Sequence, residues 1–265
     1  MGLFIMILKI KELTGKNDPR IAGSGRCSRC GLTHELPIGH ARDQAVALLR
    51  KLIETKRIDF DVPESEADPR FSTDYLFGDA RGQMFGVLVC RDKHGEIGVL
   101  KAFSGQYNSA WRLKGWAPPL VDVDLLKSAS FGVERMIKRM SRHIDELPVN
   151  STERKTLLNR RKAVSQALMK DIHAMYRLPN FRQELAPLPD IVFGDGGIPT
   201  GTGDCCAPKL LGYAAQHGLT PLGLTEFYFG KENRSGTRKH GKSYSSCSNK
   251  CGRILGFMLC GLDDS

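Results

Sequence analysis

The stretch from Gly194 to Cys260 constrains this chain most: GDGGIPTGTGDCCAPKLLGYAAQHGLTPLGLTEFYFG, a basic loop, then SYSSCSNKCGRILGFMLC. Four of the eight cysteines, Cys205, Cys206, Cys247 and Cys251, fall at positions where thiolates could meet around one metal. The fold must therefore bring together two cysteine pairs that have a whole strand between them. Glycines at 194, 196, 197, 201 and 203 lead into Asp204 and Cys205. Pro208 is tolerated only near a helix start, where amides lack intrahelical partners, so a helix is predicted to begin near Asp204 or Cys205. Leu210, Leu211 and Ala214 would form its buried face. A cysteine at such an N-terminus has its thiolate favoured by the helix dipole, which suits metal ligation or nucleophilic attack. LTPLGLTEFYFG reads as a strand with Glu226 its only carboxylate. Cys247 and Cys251 open the last apolar segment, and positions i and i+4 of a first helical turn share a face. The glycine-rich approach is not a phosphate loop, because no GK[ST] follows and Asp204 would repel an anion.

At 265 residues the chain can bury a real core without disulfides. A net charge of +10 favours a polyanionic partner, of which nucleic acid is the commonest. Two regions concentrate that charge. One is the loop KENRSGTRKHGKS, with Arg234, Arg238, Lys239 and Lys242; the other is a predicted helical hairpin over 122–176, broken at LPVNST, with Arg160, Arg161 and Lys162. RNA or a nucleotide is the sharper reading of these positions and a solvated helical face the plainer one. The opening MGLFIMILKIKELTG holds an apolar run of about seven residues, too short to span a bilayer and without the flanks of a signal peptide. It is expected to be a buried strand of a cytoplasmic protein with no membrane partner, in a reducing compartment where clustered cysteines serve metals more often than disulfides.

Cys27 and Cys30 form a CxxC turn with His34 and His40 downstream. Two intervening residues let both sulfurs reach one tetrahedral ion, so this is a second candidate zinc site; a redox pair or an inert pair are the alternatives. From Ala41 an amphipathic helix is predicted, with Ala45, Leu48, Leu49 and Leu52 on one face. Residues 63–71 read as a polar loop. The runs 85–90 and 97–103 read as a β-hairpin, with Cys90 a core residue.

The order helix, strand, strand, helix with a ligand at its start, strand, helix with two cysteines at its start resembles the zinc-dependent cytidine deaminase-like fold. Cys205 to Leu210 is similar to the CAEPKL form of some deaminase-like families. The resemblance implies an α/β, three-layer deaminase-like architecture: a mixed sheet with flanking helices. Its core would span 41–121 and 181–265, preceded by an N-terminal strand and CxxC segment at 1–40 and interrupted by an inserted basic helical hairpin at 122–180. It also implies zinc held by Cys205, Cys247 and Cys251, with Cys206 a further candidate. Ala207 stands where the family has its proton-carrying glutamate. Glu226 or Asp204 could replace it only if the fold aims one of them at the fourth metal position.

A second resemblance runs over residues 20–260. MFGVLVC, KAFSGQ, GTGDCCAPKLLGYAAQHGLTPLGLTEFYFG and CSNKCGRILGFML look like the module found N-terminal to RluA-type pseudouridine synthases in some bacteria. That synthase's own RLD motif is absent, so the resemblance implies association with RNA modification and not pseudouridine synthesis by this chain. Two functions follow from these readings. The first is a zinc-dependent nucleobase or nucleotide deaminase-like hydrolase, and the second a non-catalytic RNA-binding module with a structural zinc, accessory to pseudouridine synthesis.

Overall fold

The structure is a computed structural model and describes residues 8–10, 13 and 15–262. The apolar opening run, expected as a buried strand, lies outside the described residues apart from its end, where Leu8–Lys9 (β1) forms an exposed sheet edge. An antiparallel hairpin follows, β2 (Asp18–Arg26) and β3 (Thr33–Gly39), then α1 (Ala41–Thr55). Residues 64–77 make short 3-10 turns. Next come β4 (Gln83–Arg91) and β5 (Ile97–Phe103), the predicted hairpin, with Cys90 buried in it.

The two long predicted helices are α2 (Val123–Glu146) and α3 (Thr152–Met175). Ser151 starts α3 by accepting the Arg154 amide at 3.1 Å, as its position before a helical run leads one to expect. The Arg154 side chain turns back onto the C-terminal carbonyls of α2 at Ile144 and Leu147, so this cation closes the hairpin. The chain then passes through β6 (Arg177–Pro179), β7 (Leu185–Pro187) and α4 (Leu188–Ile191) to α5 (Cys206–Gln216), β8 (Thr220–Phe229), β9 (Ser243–Tyr244) and α6 (Gly252–Leu259).

The main sheet has the order β1-β5-β4-β8-β9, and each of its pairings is antiparallel. The class is mixed α/β, but the expected mixed sheet is not seen. After β8 the chain returns directly at the edge as β9, and no strand follows α6 among the described residues. Because β5 and β8 both oppose β4, they point the same way. A connection between two such strands must cross a face of the sheet, and α5 makes that crossing.

Side chains of β4 alternate between two cores. Phe85, Val87 and Val89 meet α1 and Trp116, whereas Leu88 and Cys90 meet α5 and α6. Trp116 donates its indole N-H to the Ile58 carbonyl at 2.9 Å, so packing orders the loop that carries it. Helix α5, expected to have one buried face, is buried throughout residues 206–215, which explains why its sequence has so little polar periodicity.

Two close approaches depend on missing side chains. A Cβ at Gly86 would lie 2.5 Å from that of Cys206, so the start of α5 rests on the backbone of β4. A Cβ at Gly256 would lie 2.2 Å from the Arg26 carbonyl carbon, and one at Gly25 would lie 2.5 Å from the Gly256 amide. Helix α6 therefore lies directly on β2. Gly256→Val should force the two apart and cost about 3 kcal/mol, read as a lowered denaturant midpoint with the slope unchanged.

Candidate metal centre

Cys205 is the residue that caps α5, with extended backbone and no capping side-chain bond of its own. Cys251 caps α6. Cys247 lies in the turn before it and accepts the Gly252 amide on its carbonyl at 2.9 Å. The predicted sharing of a helical face by Cys247 and Cys251 does not occur, because the helix begins only after Cys251; a turn brings the two thiols together instead. The Sγ atoms of Cys205, Cys247 and Cys251 all lie within 4.8 Å of one another. Hydrogen bonds from Cys205 and Cys251 hold the Cys247 thiol well below its ordinary pKa. Cys205 is correspondingly pushed up to about 12, first by its bond to Cys247. Cys251 is raised as well, first by its bond to Cys205. Three crowded sulfurs sharing negative charge form a donor set suited to a soft cation.

Cys206 does not join them. One residue into the helix it points the other way, towards the sheet, and its thiol donates to the Met84 carbonyl at 3.3 Å. Burial raises its pKa, which suits a core thiol and not a ligand.

Glu226 sits on β8 opposite Gly86. The two-residue period of the strand puts it on the same face as Leu224, towards α5. Its Oε1 accepts the Ala207 amide at 2.8 Å. The carboxyl is 5% exposed and burial pushes its pKa up to about 7. Its charge helps to raise the pKa of Cys205 and Cys251, and Cys247 in turn helps to raise its own.

Asp204 is more tightly engaged. Its Oδ1 accepts the Tyr176 hydroxyl at 2.7 Å, its main-chain carbonyl accepts the Gly105 amide at 2.7 Å, and burial raises its pKa. Behind it, Lys209 is fully buried, donating to the carbonyls of Phe103 at 2.9 Å and Gly105 at 2.6 Å. Lys209 lies inside the CAEPKL-like stretch, which gives it no role, and Tyr176 carries no motif. A cleft of about 490 Å³ opens at this point, and Tyr75, Arg81, Gln83, Asp204, Cys205 and Lys250 contribute to its wall.

A second group of metal-competent side chains consists of Cys27, Cys30, His34 and Cys260, again within 4.8 Å of one another. The expected fourth member, His40, is elsewhere. It precedes α1, and its Nδ1 is buried without a hydrogen-bond partner. Cys260 replaces it from the far end of the chain. In sequence Cys260 closes the apolar run RILGFMLC and looks like core, and no spacing rule links it to Cys27. The Cys30 thiol is lowered to about 6, first by a backbone hydrogen bond and then by His34.

None of the predicted nucleic-acid residues belongs to either metal-competent cluster. Arg161 donates to Ser141 at 3.2 Å and, with Lys162, lines a groove of about 890 Å³ along the helical hairpin. Arg160 lines a neighbouring groove on the other side of α3. In the basic loop Arg238 stacks over the Tyr244 ring at 4.2 Å, while Arg234, Lys239 and Lys242 are exposed. No helix among the described residues is long and apolar enough to cross a membrane.

Cys205→Ser should lower the metal bound per chain by about one equivalent after zinc reconstitution, and Cys206→Ser should leave it unchanged. Elemental analysis of the purified variants measures both. Comparison of the chain with family models, with curated proteins and with solved structures finds no match, so its function has to be argued from this geometry.

Proposed function

We propose that this chain is a zinc-dependent, deaminase-like hydrolase acting on a nucleobase or nucleotide, with Glu226 as its proton carrier. The observation that carries the reading is the bond between the Glu226 carboxylate and the Ala207 amide. In the resembled family a glutamate side chain projects from that helical position. Here the side chain is a methyl group, and a carboxylate from the neighbouring strand reaches the same residue. A donor set of three thiols also leaves a tetrahedral ion one position for water, unlike a closed four-ligand site. When bound, zinc would supply Lewis-acid activation of that water.

The chain's own residues do the remaining work. Glu226 takes a proton from the attacking water as oxygen adds to the amino-bearing ring carbon, and returns it to the ring nitrogen. Glu226 then carries the remaining hydroxyl proton to the exocyclic nitrogen, the bond from the ring carbon to that nitrogen breaks, and ammonia leaves as the carbonyl forms. A carboxyl with a pKa of about 7 can both accept and return a proton near neutral pH. Asp204, committed to Tyr176 and backed by Lys209, holds the loop before α5 and leaves the proton transfer to Glu226. Arg81 and Lys250, on the cleft wall, provide positive charge for a phosphate-bearing substrate.

The hairpin groove favours a second reading, RNA binding without chemistry. It is larger than the cleft at Cys205, and Arg161, Lys162 and Lys170 line it. In that reading the thiols only staple two helix starts, and the module works beside an RNA-modifying partner.

Glu226→Gln should keep its metal and its fold yet lose about 100-fold or more of the rate of ammonia release, measured over a panel of nucleosides, nucleotides and RNA. Zinc-loaded wild-type protein that releases no ammonia from the whole panel would leave only the binding reading. For that reading, neutralising Arg160, Arg161 and Lys162 together should lower the slope of log affinity against log salt by roughly 0.7 for each phosphate of single-stranded RNA that is no longer neutralised.

A further inference from the structure

The second cluster has features that set it apart from the first. Its CxxC turn is closed on its own backbone: the Cys27 amide donates to the Leu32 carbonyl at 2.8 Å, and the Gly31 amide to the Cys27 carbonyl at 3.1 Å. Gly31 takes the left-handed φ of 73° that this turn requires. The Arg29 amide donates to the Cys27 sulfur at 3.3 Å. His34, four residues past Cys30 on β3, places Nε2 3.2 Å from the Cys30 sulfur. The Cys260 sulfur lies 3.8 Å from that of Cys30. Four tetrahedral ligands with zinc-sulfur bonds of about 2.3 Å have their sulfurs roughly 3.8 Å apart, whereas a disulfide requires about 2.05 Å.

Burial agrees with that geometry. Cys27, His34 and Cys260 are 0%, 6% and 1% exposed and Cys30 is half-buried, and four protein ligands complete a tetrahedral coordination sphere without a position for substrate. Their positions in the chain are informative too. Cys260 caps the C-terminal end of α6, whose N-terminal end is capped by Cys251 of the first cluster. A helix of eight residues is too short to be stable alone, and this one touches β2 through glycines that bury little side chain.

We propose that Cys27, Cys30, His34 and Cys260 hold a structural zinc ion with no open position, which clamps the end of α6 to the β2-β3 hairpin. One short helix then carries ligands to two ions, an open site at its start and a closed one at its end. The closed site does not depend on whether the open one is catalytic.

Zinc-reconstituted wild-type protein should contain two equivalents of zinc. Cys205→Ser should retain one, Cys260→Ser at most one, and the double variant none, while His40→Ala should retain both. Cys260→His, which supplies a nitrogen ligand in place of the sulfur, should recover two equivalents even if Cys260→Ser fails to fold. Cobalt substitution of Cys205→Ser should show the ligand-field bands of a tetrahedral Cys3His site, and these should vanish on adding Cys30→Ser. A wild-type protein with one zinc that Cys260→Ser keeps would overturn the proposal. So would a Cys30-Cys260 disulfide found by peptide mapping of protein purified under reducing conditions. All these readouts count or identify metal, so they stand whether or not any ammonia is released.

Discussion

A helix that starts inside a protein must find acceptors for its first amides. Helix α5 starts in this way, and its capping residue offers no acceptor, because Cys205 turns its sulfur towards Cys247 and Cys251. Glu226 supplies the acceptor from β8, taking the Ala207 amide in the manner of a remote cap. The same bond solves the carboxylate's own problem. A buried carboxyl loses solvation, and the N-terminal amides of a helix are one of the few environments that offset the loss. Sheet, helix and thiol cluster are thus fixed to one another by one buried contact, and the cleft at Cys205 forms beside it.

Helix α6 is the other element on which the arrangement turns. Glycines allow it to lie on β2 at backbone distance, and cysteines stand at both of its ends. The N-terminal hairpin and the C-terminal helix are remote in sequence, yet the CxxC turn of the first meets the last cysteine of the second. Packing of this kind joins the N-terminal hairpin to α6 without a disulfide, and the thiols stay free.

Exposed positive charge is concentrated along the hairpin of α2 and α3 and in the loop between β8 and β9, with Arg81 and Lys250 on the cleft wall at Cys205. Some of it is structural. Arg154 closes the hairpin, and Lys209 ties the Phe103 carbonyl at the end of β5 to that of Gly105 in the loop after it, so neither is available to a polyanion. The cations that face solvent, Lys239 and Lys242 among them, are those on which a contact with phosphate would rest.

Local elements are legible in the residues: the hairpin of β4 and β5, the two long helices with their Ser151 start, α5 beginning at the cysteine pair, and β8 with its single carboxylate. Periodicity, capping residues and proline positions act over a few residues, and a chain can be read for them directly. Which side chains meet depends on the packed fold. It turned Cys206 into the core and Cys205 outward, though the two are neighbours, because successive residues at a helix start face different ways. It brought Cys260 to Cys30 in place of His40, a pairing across nearly the whole chain that no spacing encodes. It made the sheet antiparallel where a mixed one was expected, since strand direction follows from connections and not from composition. The placement of Glu226 against Ala207 belongs to the same class: register along β8 sets which face the carboxylate occupies, and register is a property of the paired strands.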